Sequence, residues 1–276
     1  MQKPLRPAPF VLISSSHGPM IINRNDYRPK DNCGVSAQIM RNSCYEQSNV
    51  DIYLTLLNAR HLLYGDGVVA IDCGANIGVY TLEMAKTMQG WGSVISFEAQ
   101  EKVYYALAGN VILNNCLNVT AKLCAVGAEC GKINIPEVNY LLPSNFGGFE
   151  LKPRENGEFI GQPIDYSTNS KSVDMVTIDS LNLERLDFLK IDVEGMEVEV
   201  LQGAKNTIEK YHPQMIIEIL KSDGQKIMDG LTNMGYTIHK LGQVDIVAIH
   251  KSDTSIQNVI AMTKKMQGLD PENIPT

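Results

Sequence analysis

Val68-Val69-Ala70-Ile71-Asp72-Cys73-Gly74-Ala75-Asn76-Ile77-Gly78 is the stretch that decides the fold. Its first four residues form an unbroken apolar run, the pattern of a strand buried on both faces of a parallel sheet. A glycine turn follows, and a helix is expected through about Met88. Strand, glycine turn and helix make the unit from which open α/β sheets are wound, and such sheets bind ligands beyond the carboxyl ends of their strands.

Working outward, the unit repeats. Ser93 to Phe97 reads as a strand, Val103 to Leu113 as a helix, and Val119 to Leu123 and Phe188 to Ile191 as further strands. A helix from about Gly195 to Tyr211 buries Val198, Leu201, Ala204 and Ile208, and Met215 to Ile219 is the next strand. Upstream, Val50, Tyr53, Leu54, Leu57 and Tyr64 recur at helical spacing and end at Gly65-Asp66-Gly67. Downstream, Ser222-Asp223-Gly224-Gln225 resembles a capping box opening a helix to about Met234, and Tyr236 to Leu241 pairs with Asp245 to His250 around Gly242-Gln243. The expected fold is α/β and Rossmann-like: a doubly wound, mostly parallel sheet closed by an antiparallel hairpin.

The 276 residues, 44% of them hydrophobic, suffice for one large domain with extensions, and two full domains would be cramped. We expect an N-terminal extension over 1–45, a main domain over 46–251 and a C-terminal helical tail over 252–276. In the tail, Ile256, Val259, Ile260 and Met266 share one helical face, which suits packing or a homo-oligomer. Pro136 to Ser172 interrupts the alternation with Pro143, Pro153, Pro163, Gly147, Gly148, Gly157 and Gly161. A connection this long is usually functional or disordered, so 136–172 is read as a substrate-side loop.

With 24 basic and 31 acidic residues the net charge is −7, without the basic excess that holding a polyanion requires, so no nucleic-acid partner is expected. Six cysteines without a Cys-x-x-Cys pair argue against a zinc site or a disulfide framework and fit a reducing compartment. The apolar patch Phe10 to Ile13 is too short for a signal peptide, and no run reaches membrane-spanning length. The expectation is a cytoplasmic protein with no membrane partner.

Two acids end consecutive strands. Asp72, in the glycine turn, can meet the positive charge of a bound amino-acid group, and Glu98 can accept hydrogen bonds from both hydroxyls of a ribose. Gly74 and Gly78 let the backbone approach a ligand. Asn76 stands where a dinucleotide fold would have the glycine that admits a pyrophosphate, so a nucleoside without one fits better. A second cluster surrounds the end of a later strand. Lys190 and Asp192 point to one side of it, Glu194 and Glu197 follow in the turn and first helical turn, and Glu218 ends the neighbouring strand. Such carboxylates can take a proton from a hydroxyl, or hold magnesium or calcium; the spacing leaves the divalent metal undecided. Lys190 reads either as a group orienting a substrate oxygen or as an ion-pair partner. Glu194 and Glu197 equally suit a helix N-terminus.

Other signals carry less. Gly127-Ala128-Glu129-Cys130-Gly131-Lys132 has too few residues between glycines for a phosphate loop, and Ile133 replaces the Ser or Thr, so it reads as a hairpin turn. His17, His61, His212, His239 and His250 lack metal-ligand spacing.

The glycine turn, Ser96-Phe97-Glu98-Ala99, Ala125-Val126-Gly127, Ser144-Asn145-Phe146-Gly147-Gly148, Thr177-Ile178-Asp179-Ser180-Leu181 and Leu189-Lys190-Ile191-Asp192-Val193-Glu194-Gly195-Met196-Glu197 together resemble the FkbM-type methyltransferase family in order and spacing. The resemblance covers about residues 46 to 250. It implies the class I methyltransferase fold and O-methylation dependent on S-adenosylmethionine (SAM), with a hydroxylated small molecule, sugar or glycan as acceptor. It places Ala99 and Ala125 with Asp72, Gly74, Asn76, Gly78 and Glu98 on the cofactor. Ala99 departs from the proline the family often has there, which bears on the adenine side. Asp192, Glu194 and Lys190 are the catalytic candidates, and Asn145, Gly147, Gly148 and Glu218 the acceptor-binding ones. Two alternatives stay open: a nucleic-acid methyltransferase, which calls for a basic surface, and a non-catalytic nucleoside-binding domain, which would not need acids at the crevice.

Overall fold

The computed structural model describes residues 7–168 and 170–257. A hairpin of β1 (Phe10–Ser15) and β2 (Gly18–Asn23) leads into α1 (Val35–Asn42) and α2 (Gln47–Tyr64). β3 (Val68–Cys73), α3 (Val79–Thr87), β4 (Gly92–Glu98), α4 (Glu101–Leu113) and β5 (Val119–Leu123) form the first half of the winding. After β6 (Ala125–Val126) and β7 (Gly131–Pro136) comes the long loop, which returns in β8 (Ser170–Val176). β9 (Phe188–Ile191), α5 (Glu197–Gly203), α6 (Lys205–Tyr211), β10 (Gln214–Glu218), α7 (Gly224–Asn233), β11 (Tyr236–Leu241) and β12 (Asp245–His250) complete the described chain.

The main sheet has seven strands in the order β11-β12-β10-β9-β3-β4-β5. β12 is antiparallel to both its neighbours, while the pairs from β10 through β5 are parallel. This is the expected doubly wound, mostly parallel sheet closed by an antiparallel hairpin. The chain winds outward from β3 through β4 and β5, then returns to the other flank with β9 and β10. Strand order therefore reverses between β3 and β9, and the two strand ends leave a crevice there. Apolar residues line both faces of the sheet. Leu57, Val68, Leu82, Met84, Val94 and Leu107 pack on one side, and Ile71, Phe97, Ile191, Val200, Ile208 and Ile217 on the other. Each such buried side chain is worth about 1.5–3 kcal/mol, enough to fix the strand ends that carry the site.

Three local expectations are corrected. The helix expected over Gly195 to Tyr211 is broken at Ala204 (φ −111°), because Asp179 captures the amides of Asn206 and Thr207 and so starts a new helix. Gly203 also packs so tightly on the Gly127 carbonyl that a Cβ would stand 2.1 Å from its oxygen. The cap of α7 is Asp223, whose Oδ1 accepts from the Lys226 amide at 3.0 Å, rather than a Ser222–Gln225 box. The segment 127–132 is no simple hairpin either, since β8 inserts between β6 and β7 to give a small sheet of order β6-β8-β7. Of the expected C-terminal helix, Val259, Ile260 and Met266 lie outside the described residues. No helix among the described residues is long and apolar enough to cross a membrane.

Candidate active site

A cleft of about 510 Å³ opens at the reversal point, within the size range of small-molecule sites. Its floor is the turn after β3 and the ends of β4, β9 and β10; the loop after β7 and the segment from Arg28 to Glu46 form the walls.

The floor begins with Asn76. This residue adopts a left-handed conformation (φ +51°), its Oδ1 accepts from the Ile77 amide, and its own amide donates to Glu98 Oε2 at 3.0 Å. Glu98 Oε1 accepts from the Gln100 amide at 2.8 Å. Burial pushes the Glu98 carboxyl up to about 7 although these amides pull it down. Gly74, Asn76, Glu98, Ala99 and Ala125 all line the cleft. Gly74 and Gly78 also stand close against the protein itself. A Cβ on Gly74 would meet the carbonyl oxygen of Asp192, and one on Gly78 would stand 2.6 Å from Leu107 Cδ1, so it is the protein's own packing that demands them.

Asp72 is fully buried and stands behind the residues that line the cleft. Its Oδ2 accepts from the Thr81 hydroxyl at 2.7 Å, and its Oδ1 faces Lys190 Nζ at 3.4 Å. Lys190 lies between it and Asp192, donating to Asp192 Oδ2 at 3.1 Å. Burial alone would depress this ammonium; the two carboxylates outweigh it and hold its pKa well above the usual lysine value. Lys190 is thus committed to an ion pair, the plainer of its two expected roles.

Asp192, Glu194 and Glu218 each bring a carboxylate oxygen to one place, all within 4.8 Å of one another. Burial, followed by the charge of Asp192, raises the carboxyl pKa of both Glu194 and Glu218. Glu218 Oε2 is buried and has no hydrogen-bond partner. An orphaned acceptor at a cleft wall marks a place for a donor or a cation. The all-oxygen donor set suits a hard divalent ion. Glu197 is not part of this group: it is sealed inside and accepts from the amides of Val193 and Gly195 and from the Ser222 hydroxyl.

The loop side of the cleft contains residues that no motif in the sequence marked. Lys221, 7% exposed, donates to the Gly148 carbonyl at 2.8 Å and pairs with Glu158 at 2.8 Å and Glu194 at 2.6 Å. Glu158 also pairs with Arg28, so one chain of charges joins the N-terminal segment, the loop and the turn after β9. Asp26 adds a second tie, accepting from the amides of Ser36 and Phe146. Asn145 lines the cleft, but its Oδ1 accepts from the Gly148 amide and its Nδ2 donates to Cys33 Sγ, so it braces the loop. Gly147 and Gly148 line the wall beside it. Asp245 faces the same cavity from the start of β12, where it is the cross-strand partner of Glu218, and burial pushes its carboxyl up to about 6. No sequence motif marked Lys221, Asp26 or Asp245.

Comparison with known proteins gives the following matches. The family model described as the methyltransferase FkbM domain matches residues 72–238. Methyltransferase sdnD of Sordaria araneosa is 28% identical over 174 residues, covering 56% of this chain and 67% of its own. Methyltransferase 1 of Beauveria bassiana (strain ARSEF 2860) is 26% identical over 171 residues, covering 58% of this chain and 68% of its own. Among solved structures, methyltransferase FkbM from Methylobacillus flagellatus KT aligns at 16% identity with a TM-score of 0.46, over 80% of this chain and 63% of that one. The present chain therefore spans less than two thirds of the Methylobacillus protein.

Proposed function

This chain belongs to the FkbM methyltransferase family and is by that membership a SAM-dependent methyltransferase, and we propose that its acceptor is a hydroxyl group on a sugar ring or a glycosylated small molecule. The reading is carried by the convergence of Asp192, Glu194 and Glu218 in the cleft, with one oxygen of Glu218 left without a partner.

The residues on the floor suit the cofactor. Glu98 has lone pairs left after its two amide bonds, which is what a ribose diol needs, and the turn at Gly74 to Asn76 with Ala99 and Ala125 supplies close, small walls. When bound, SAM supplies a methyl group made electrophilic by its sulfonium. Asp72 pairs with Lys190, which lines the cleft. Asp192 stands at a strand end with Lys190 as its counter-charge and takes the hydroxyl proton as the oxygen acquires the methyl group. An aliphatic hydroxyl is about as weakly acidic as water (pKa about 15.7), so such a base contributes about 10²–10⁴-fold. Glu194 and Glu218, which hold their protons more tightly than ordinary carboxyls, can donate to as well as accept from neighbouring substrate oxygens.

The charges favour an uncharged acceptor over a phosphorylated one or a nucleic acid. Of the four cations lining the cleft, Arg28, Lys190 and Lys221 are already held by carboxylates. In a second reading, the same three oxygens hold a magnesium or calcium ion that acidifies the hydroxyl. Dialysis against a chelator followed by metal addition tells the two apart, since only the second requires the ion. The function itself is tested by incubating the protein with SAM and a panel of glycosides, free sugars and nucleosides. Demethylated cofactor together with one added methyl on a sugar oxygen supports the reading. Methylation of nucleosides alone, or of nitrogen alone, contradicts it.

A further inference from the structure

α2 projects Tyr53 into the base of the cleft. Its ring packs against Tyr80 (centroids 4.4 Å apart) and Phe188 (5.6 Å), leaving the residue 3% exposed. Of the other tyrosines lining the cavity, Tyr80 has spent its hydroxyl and Tyr45 has not. Tyr80 donates to Glu46 at 2.6 Å, and Tyr140 donates to Gln100 at 3.2 Å. The Tyr53 hydroxyl makes no hydrogen bond among the described residues, although Tyr53 lines the cavity. The Tyr53 oxygen is not sealed off, unlike the buried and unpartnered oxygen of Tyr236, so it is open to the cavity and free to donate. Asp245, half-buried, is also unpaired. It lines the cavity beside Glu218, and its carboxylate makes no side-chain hydrogen bond or ion pair among the described residues. Tyr53 and Asp245 also sense each other electrostatically, together with Lys190 and Asp192, and burial keeps the phenol protonated and therefore a donor.

A donor and an acceptor, both unspent and lining one cavity, match a group that accepts and donates at once. We propose that Tyr53 and Asp245 form a second hydroxyl subsite, which binds an acceptor hydroxyl adjacent to the one methylated; the acceptor is then a vicinal diol or polyol. In that subsite the phenol donates to the neighbouring hydroxyl, and the hydroxyl donates to the Asp245 carboxylate. This inference rests on the hydroxyl-methylation reading. It adds that discrimination comes from a hydroxyl that does not react, because a site built to hydrogen-bond a hydroxyl rejects an analogue lacking it far more strongly than an apolar pocket can.

Tyr53→Phe removes one oxygen and leaves the ring packing in place, so the variant should melt close to the wild-type temperature. The probes are methyl glucopyranosides and other hydroxyl compounds that the wild type turns over, with their monodeoxy analogues. The expected result is an acceptor KM raised about 10–100-fold in Tyr53→Phe. kcat and affinity for demethylated cofactor should stay within about threefold. For one monodeoxy analogue, wild type and variant should be alike. Should Tyr53→Phe melt lower, Asp245→Asn must show the same KM increase and the same loss of discrimination. Wild-type turnover with Tyr53→Phe unchanged on every accepted probe overturns the subsite alone. Wild-type failure on every hydroxyl compound overturns the proposed function, and the subsite with it.

Discussion

Gly74 and Asp192 are locked together through their backbones: a Cβ built on the glycine would stand 1.7 Å from the carbonyl oxygen of Asp192. The turn proposed to face the cofactor and the strand end that carries the proposed base are therefore held in one fixed relationship. Gly74 also has φ +77°, which disfavours any side chain. Gly74→Ala should cost more than about 4 kcal/mol in urea denaturation or prevent folding. Gly90, at φ +87° with open space around it, gives the comparison. Gly90→Ala should cost only about 1–2 kcal/mol. Equal losses would show that the Gly74–Asp192 contact does not matter.

Glu98 ties the cofactor floor to pH. Its carboxyl lies at about 7 in the folded chain against 4.5 as a free group, so the native state binds the proton more tightly than the unfolded chain. The stability it contributes is complete below pH 4.5 and is lost as pH rises to about 7. Cofactor affinity should move the other way, rising through about pH 7 as the carboxylate becomes a full acceptor for the ribose. Calorimetry with demethylated cofactor should show this rise in the wild type and none in Glu98→Gln, while Glu98→Ala should lose about 1.5–3 kcal/mol of binding. A flat wild-type profile would contradict the assignment.

Lys190 separates a structural cation from a catalytic one. In Lys190→Met, Asp72 and Asp192 lose their shared counter-charge, and breaking a buried pair in this way costs about 3–5 kcal/mol. Adding Asp72→Asn should recover part of the loss, as read from denaturation midpoints. A Lys190→Met protein of normal stability with only its rate reduced would instead place the lysine on the substrate.

Lys221 clamps the loop to the turn after β9 through Glu158, Glu194 and the Gly148 carbonyl. Lys221→Met should free the loop, and trypsin should cut it at Lys152 or Arg154 at least about tenfold faster, since a loss of about 1.4 kcal/mol in local stability already gives that factor. Unchanged cleavage would mean that Asp26 and Asn145 hold the loop without it.

The fold was legible because its signals are local. The run from Val68 to Ile71, the glycine turn and the alternation that follows record burial and backbone conformation in sequence order, and strand ends at Glu98 and Asp192 follow from them. The acidic cluster was legible for the same reason, since strand ends that are neighbours in the sheet bring their acids together. The burial of Asp72 was not legible, because alternation gives the direction of a side chain but not the ion pair that covers it; Lys190 does so from the neighbouring strand. Lys221, Asp26 and Asp245 were missed because their partners are distant in the chain or absent, and no spacing rule records such contacts. The break at Ala204 depends on Asp179, which the sequence offered only as part of a motif.

The measurement that bears most directly on the central claim, that Asp192 takes the proton from an acceptor hydroxyl, is the single-turnover rate of Asp192→Asn taken in parallel with its SAM affinity. The variant keeps the shape and the contact with Gly74 but removes the charge. The rate should fall by about 10²–10⁴-fold while SAM affinity changes by less than about threefold. Near-normal turnover, or an affinity that collapses together with the rate, would contradict the claim.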